Sequence, residues 1–432
     1  MGWRKCPNAA GQLDQSQHRA FIGGCRCRRG GDLPNGLIRT LAAANFLTEN
    51  TGPSLRVSGF TKTNGCEGGL RTDKFLWVWR CKRIADFAEV VLSSIKVQGI
   101  GAVSPAGWGV DALRNALHQG SRLPLRELPS PADSRPLRAL GVPPVSPRPA
   151  FTAHARLRRT SPIGQYAVAA ALEALGNGAT YLEGNPGSLG IVYCAMSGCV
   201  NFSRRFYDET LKDPSTASPV IFPETVFNAP ASHLGALLGT SAINYTMVGD
   251  PGTFLQGLAL AADWLVSGRV SGCLVVGAEE LDWLVANAFG LFDPGGIVSE
   301  GAGALYLRRG ADSTASVDLQ AITQPQLFFS KRQRWQAAKK ARDEIGANEL
   351  SSILCDGLQG VRRLDQDEMK AWGDWAGARC SPKLVCGEAF VAAAAWQCVA
   401  AVDALNRGEY DSAHVSVVGC NQQAIAARFG RS

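Results

Sequence analysis

"TMVGDPGTFLQGLALAADWLVSG", residues Thr246 to Gly268, decides the fold. An apolar run ends in Gly-Asp-Pro-Gly-Thr, and a helical pattern follows at once. A strand that turns sharply into a helix is where many enzymes mount a nucleophile, because the helix N-terminus lowers a thiol's pKa. Here the turn carries Pro251, which has neither thiol nor hydroxyl. The residues still suit the corner's shape. Proline is favoured at the first helical position, and Asp250 before it is a good N-cap.

Working outward, strands and helices alternate from Lys96 onward. "KVQGIGAVSPAGWGVDALRNALHQG" reads as a strand, a Gly/Pro loop and an amphipathic helix ending at Gly120. A Pro/Arg-rich loop spans Leu123–Pro149, and "SPIGQYAVAAALEALGN" is a helix with Ser161 as its N-cap. "SLGIVYCAM" is a buried strand, "PASHLGALLG" a short helix, and "GCLVVGAEE" and "GAGALYLRR" are further strands. "VDLQAIT", the helical "QRWQAAKKARDEIG" and the strand-like "SSILCDG" follow. An apolar helix at Ala389–Leu405 and "HVSVVGCNQQAIAARF" close the chain. Elements that are apolar throughout specify layered α/β architecture. The Ala389–Leu405 run is too short, and too interrupted by Gln397 and Asp403, to span a membrane.

Composition narrows the function classes. The 432 residues are 46% hydrophobic and 19% charged, enough for more than one domain-sized layer. The net charge of +7 resides in residues 1–95, which hold 14 Lys and Arg against 7 Asp and Glu; residues 96–432 hold 30 of each. A neutral body gives no general nucleic-acid-binding face. Of the 13 cysteines, eight lie after residue 95, scattered through apolar segments without paired spacing. They read as reduced, buried thiols of a cytoplasmic protein. Residues 1–95 lack sustained periodicity and read as a disordered or irregular extension, or as an over-long start of the reading frame. Lys74–Ile95 is the one helical candidate there. The Cys-x-Cys at Cys25 and Cys27 has no second ligand pair nearby, which argues against zinc. No secretory h-region opens the chain.

Residues 96 to about 430 resemble the β-ketoacyl-ACP synthases of fatty-acid and polyketide synthesis. The likeness is carried in order by "VQGIGAVSPAGWGVDALRNAL", "FPETVFNAPASHLGALLG" (Phe222–Gly239), "LFDPGGIVSEGAGALYLRR" (Leu291–Arg309) and "SPKLVCGEAFVAAAAWQCVAAVDALNRGE" (Ser381–Glu409). The resemblance implies a thiolase-like fold: two similar βαβ-rich halves, 96–310 and 311–432, in an α-β-α-β-α layering. It implies a dimer that buries the strand and helices around the nucleophile corner, acyl carrier protein as partner, and no cofactor or metal.

An active member of that family resembles a Cys-His-His machine. Alignment puts Pro251 at the cysteine, Asp356 of "LCDGLQG" at the first histidine and Glu388 of "KLVCGE" at the second, with Lys383 and Gly387 kept. The closing Gly-rich loop is reduced to "VVGCNQQA" (Val417–Ala424). Proline removes both the nucleophile and the N–H that the family's nucleophile gives to the oxyanion hole, a contact worth roughly 3 kcal/mol. Asp356 and Glu388 either split their pKa values as a new acid–base pair or sit in ion pairs, with Lys383 as partner to either. Cys355, Cys386 and Cys420 border the same region, but none has a helix N-terminus or a histidine beside it in sequence. His18, His118, His154, His233 and His414 fall at no catalytic position, and His233 reads as structural, near the dimer face. Gly-rich Glu300–Leu305 precedes a strand rather than a helix, so its glycines serve close packing and not phosphate binding.

Three functional readings follow. The first is a silent subunit resembling chain-length factors, which pairs with an intact synthase. The second is an enzyme of divergent chemistry on acyl-ACP or acyl-CoA, working through Asp356, Glu388 and Lys383. The third is a stand-alone acyl- or carrier-protein-binding module.

Overall fold

The apolar runs read from the sequence become strands, and they enter the sheet in the same order twice. A computed structural model describes residues 95–432 apart from 130–135, 148, 177–187, 242, 311–314, 347–350 and 421. The expectations for the N-terminal extension, its disorder and its helix included, lie outside the described residues.

β1 (Ile95–Ser104) is followed by the two-residue β2 (Gly107–Trp108), which folds back on it, and by α1 (Val110–Gln119). Gly120 ends α1 in the left-handed conformation that glycine adopts without strain. The expected loop after it contains an antiparallel pair, β3 (Arg126–Leu128) and β4 (Leu137–Ala139). α2 (Pro162–Leu175), β5 (Leu189–Ala195), α3 (Val200–Lys212), α4 (Ala229–Leu238), β6 (Asn244–Val248) and α5 (Thr253–Val266) come next. β7 (Gly272–Glu279), α6 (Trp283–Phe292) and β8 (Gly301–Arg309) complete the first set. The second set comprises β9 (Val317–Ile322), β10 (Gln326–Leu327), α7 (Arg334–Ile345), β11 (Ser352–Cys355), α8 (Arg362–Ala371) and β12 (Ala378–Cys380). It ends with α9 (Pro382–Cys386), α10 (Phe390–Asn406), β13 (Ser412–Val418) and β14 (Gln423–Arg431).

In the first set the strands lie in the order β1-β8-β7-β5-β6, with two antiparallel and then two parallel pairings. In the second they lie β9-β14-β13-β11-β12 with the same alternation. A single backbone pair, Lys96 with Asp318, joins the two sets, and the Lys96 ammonium lies 2.8 Å from the Asp318 carboxylate. α5 and α10 share one apolar core with residues of both sets, including Val275, Leu305, Val415 and Phe429. α2 and α4 cover the other face of the first set, and α7 that of the second. The layers therefore run α-β-α-β-α, as the sequence led us to expect.

α10 is the keel between the sheets, with fifteen of its seventeen residues buried. Its alanines let the strands approach: a Cβ on Gly303 would lie 2.7 Å from that of Ala395. Trp396 donates its indole N–H to the carbonyls of Val103 and Ala302, while Gln397 donates to those of Cys355 and Ser416. Adjacent residues of one helix are thus bonded to different sheets. At the end of β7, Glu279 accepts the N–H groups of Met196 and Ser197 and so ties β7 to the end of β5.

Two local expectations change. Ser161 does not cap α2 with its side chain; it donates to Glu280, and that carboxylate takes the Ile163 N–H instead. A charged acceptor outcompetes a hydroxyl for a helix N–H. β6 is a strand, but it is the sheet's edge and is half-exposed. α3, α6 and α8 were not anticipated.

Candidate functional site

β6 stops at Val248, and α5 starts at Thr253 with Gly252 as its N-cap. The helix begins two residues later than expected, leaving Pro251 buried in the turn rather than at the first helical position. The reason is a tight turn closed by the Thr253 N–H on the Asp250 carbonyl, 2.9 Å. The Asp250 carboxylate takes the Gly252 N–H (3.1 Å) but is drawn equally to Gln423, accepting its side-chain amide at 2.9 Å and its backbone N–H at 3.3 Å. Burial raises the Asp250 pKa, and these hydrogen bonds oppose it. Gly419 allows this approach, because a Cβ there would fall on the Asp250 carboxylate. The corner is therefore locked to the degenerate closing loop.

A second cluster is built from α9 and the residues after it. Gly387 adopts φ 77°, and a Cβ on it would sit 2.8 Å from the Ile297 carbonyl. Glu388 pairs its backbone with the segment around Val298: its N–H donates to Ile297 and its carbonyl accepts from Ser299. Its carboxylate accepts Lys383 Nζ at 2.7 Å, the Gln359 amide at 3.1 Å and the Phe390 N–H at 2.8 Å. Lys383 is 2% exposed and Glu388 1%. Burial alone would lower the Lys383 pKa, but the charge and hydrogen bond of Glu388 reverse this, and the net shift is upward. Phe390 follows at φ 46°, a backbone state that costs a bulky residue roughly 1–3 kcal/mol. It is held there by the N–H bond to Glu388 and by edge-on packing against Phe289, 5.5 Å between ring centres.

Asp356 lies at the end of β11 and does not join Glu388 as an acid–base pair. Its carboxylate is claimed by Arg379 of β12 (3.0 Å), Ser381 Oγ (2.5 Å) and the Leu358 N–H (3.3 Å). Burial raises its pKa against these bonds. Glu368 of α8 stands close by: it accepts the Gly357 N–H and, at 2.6 Å, Ser416 Oγ. Burial first, and the Asp356 charge second, push its carboxyl up to about 7. Lys383 contributes an opposing attraction. Glu388, Lys383, Glu368 and Asp356 thus form one buried chain of charges, which ends at the exposed Arg379. Of these, sequence reasoning missed Glu368 and Arg379.

The thiols divide. Cys386 faces Ser104 and the Ala106 N–H, and burial pushes its pKa up to about 12. Cys355 is fully buried within β11. Cys420 alone lies near the charges of Glu388, Lys383 and Asp250, and burial raises its pKa strongly. None of the three has the electropositive, partly exposed setting of a reactive thiol. The eight cysteines of the described residues are free. Histidines serve elsewhere: His233 meets Glu224 at 2.8 Å, His118 meets Arg407 at 3.1 Å, His154 takes the Arg156 N–H, and His414 is buried edge-on to Trp375. His18 lies outside the described residues. Among the described residues no cluster suits a metal ion, and no helix is long and apolar enough to cross a membrane. The Gly301–Leu305 run forms β8, where Gly301 and Gly303 serve close packing as expected.

Two sets of strands in matching order, joined at β1 and β9, with helices between and outside them, make a thiolase-like α/β fold. The solved structures it resembles are ketosynthases and chain length factors. One is a β-ketoacyl synthase from Burkholderia phymatum STM815, with a TM-score of 0.66 at 16% identity over 79% of this chain and 100% of that one. Another is the ishigamide ketosynthase/chain length factor, with a TM-score of 0.64 at 17% identity over 78% of this chain and 99% of that one. A third is the ketosynthase ApeO in complex with its chain length factor ApeC from Xenorhabdus doucetiae, with a TM-score of 0.64 at 14% identity over 79% of this chain and 98% of that one. At these identities the likeness is one of fold. No family model and no curated protein sequence matches the chain.

Proposed function

We propose that the chain is a non-condensing subunit of fatty-acid or polyketide synthesis, pairing with an intact β-ketoacyl synthase and shaping the acyl channel that an acyl carrier protein serves. The observation that carries this reading is the buried Lys383–Glu388 ion pair, with Glu388 and Pro251 at two of the positions where the resembled synthases carry catalytic residues. Pro251 offers no nucleophilic atom, and the carboxylates of Asp356 and Glu388 are each held by other neighbours. Asp356 and Glu388, which a divergent enzyme would need as working groups, are instead tied to Arg379 and Lys383. The repeated strand order supports placing the division between halves at residues 310 and 311.

The surface supports a protein partner. β6 is an open edge with Tyr245 and Val248 each 54% exposed, and exposed strand edges pair readily with other chains. α4 packs on β6 and is joined through His233 and Glu224 to the segment that carries exposed Phe222, Val226 and Phe227. α3, which packs on that segment, has no buried residue and exposes Tyr207 and Leu211. A connected apolar edge of this kind suits a large, stable interface. Co-expression with an intact synthase from the same source, with native mass and acyl-chain profiling, tests the reading. A heterodimer with altered product length supports it; a homodimer indifferent to the synthase overturns it.

A further inference from the structure

Beside the charged site, β11 and β12 hold two cysteines side by side. Cys355 and Cys380 are direct partners in the parallel pairing of these strands. Neighbouring strands lie roughly 4.8 Å apart, inside the Cα separation that a disulfide spans. The environments of the two side chains differ. Cys355 is fully buried, whereas Cys380 is half-buried and lines a surface cavity of about 170 Å³ together with Leu117, Arg379 and Tyr410. The residues on either side of Cys380 are Arg379 and Ser381, the two side chains that hold Asp356, itself next to Cys355. The dithiol therefore sits across the middle of the Asp356 clamp.

We propose that Cys355 and Cys380 are a redox modification site, oxidised to a disulfide by a small disulfide of the glutathione class, and that the bond pins β12 to β11 at the Asp356 clamp. Cys380 is the reachable sulfur. Its thiolate attacks the small disulfide, forming a mixed disulfide and releasing one equivalent of small thiolate. The Cys355 sulfur then attacks Cys380 Sγ, expelling the second small thiolate, which leaves with the proton from Cys355. Two protein thiols are oxidised, and one small disulfide is reduced to two thiols. Cys355 is fully buried and out of reach of the small disulfide, so it takes the second step and not the first. β12 is a three-residue strand at the sheet's edge, so a covalent tie there restrains the part of the clamp least held by backbone pairing.

This inference is independent of the functional reading. The test uses the full reduced chain, exposed to oxidised glutathione without denaturant, then alkylated and mapped by mass. Peptides carrying Cys355 and Cys380 are expected as a linked pair, with two hydrogens lost and no glutathione retained. Hydrogen exchange in residues 378–381 is expected to slow on oxidation. Cys355→Ser is expected to retain glutathione on Cys380, because the second step is lost. Alkylation of both cysteines after oxidation, or a stable glutathione adduct on Cys380 in the unaltered protein, overturns the proposal. Neither result depends on the variant folding.

Discussion

Replacing Lys383 by methionine tests the buried ion pair with Glu388. Methionine matches the stem of the side chain and deletes only the charge. Glu388 would keep the Gln359 amide and the Phe390 N–H but lose its cation, in a site where it is 1% exposed. A buried pair broken on one side costs about 3–5 kcal/mol. Glu388→Gln is the milder break. It keeps a group that can accept the Phe390 N–H, and Lys383 still faces Glu368. Its expected cost is about 1–3 kcal/mol, the range for a buried polar group losing its partner. The double variant removes both charges and should recover much of the loss, with a coupling of about 2 kcal/mol. Urea denaturation followed by tryptophan fluorescence reads all four proteins. Costs that add within about 0.5 kcal/mol, or a milder effect of K383M than of E388Q, refute the reasoning.

Other outcomes are equally specific. Burial pushes the Glu279 carboxyl up to about 7, against about 4.3 when unfolded. Its contribution therefore favours folding at low pH and is lost as pH rises between those values, so Glu279→Gln should flatten the Tm–pH curve in that window. Pro251→Cys restores a thiol at the corner but no histidine, and intact mass after incubation with acyl-ACP should show no acyl-enzyme. An adduct would mean that the remaining site is competent. Tyr245→Asp with Val248→Asp places two charges on the open β6 edge. Subunit association by light scattering should be lost, with the Tm of the monomer unchanged within about 2 °C, because exposed substitutions cost little.

How far the sequence could be read follows from what each segment buries. The strands and helices around the corner were legible because their apolar runs are long and buried on one or both faces, as in β5, β7 and α10. Glu388 and Pro251 were legible because short glycine-rich or Lys-x-x-x-Gly segments surround them. α8 escaped notice because "RRLDQDEMKA" is mostly charged and imitates a solvent-exposed segment, although Asp365 and Glu368 are buried. Asp365 holds the backbone N–H groups of Gln359 and Val361, so a charged residue here organises a loop, and no periodicity signals that role. The partner of Asp356 was equally hidden: Arg379 lies 23 positions away, and only strand pairing brings it near. The sequence suggested Lys383 for either carboxylate; the fold gives it to Glu388.

The keel helix has a consequence for how the chain is made. The inner face of the first sheet is laid down by residues 95–309, yet it packs against a helix that begins at Phe390. A ribosome reaches that helix only after about nine-tenths of these 432 residues have been made. Until then Val192, Val275 and Leu305 have α5 for cover but not α10. Distant contacts of this sort fold late and leave sticky intermediates. A nascent chain of this protein is therefore a natural client for chaperones. Truncation anywhere before residue 390 should yield not a smaller domain but an open, aggregation-prone sheet, so the segment from Phe390 onward acts as a completeness check on everything translated before it.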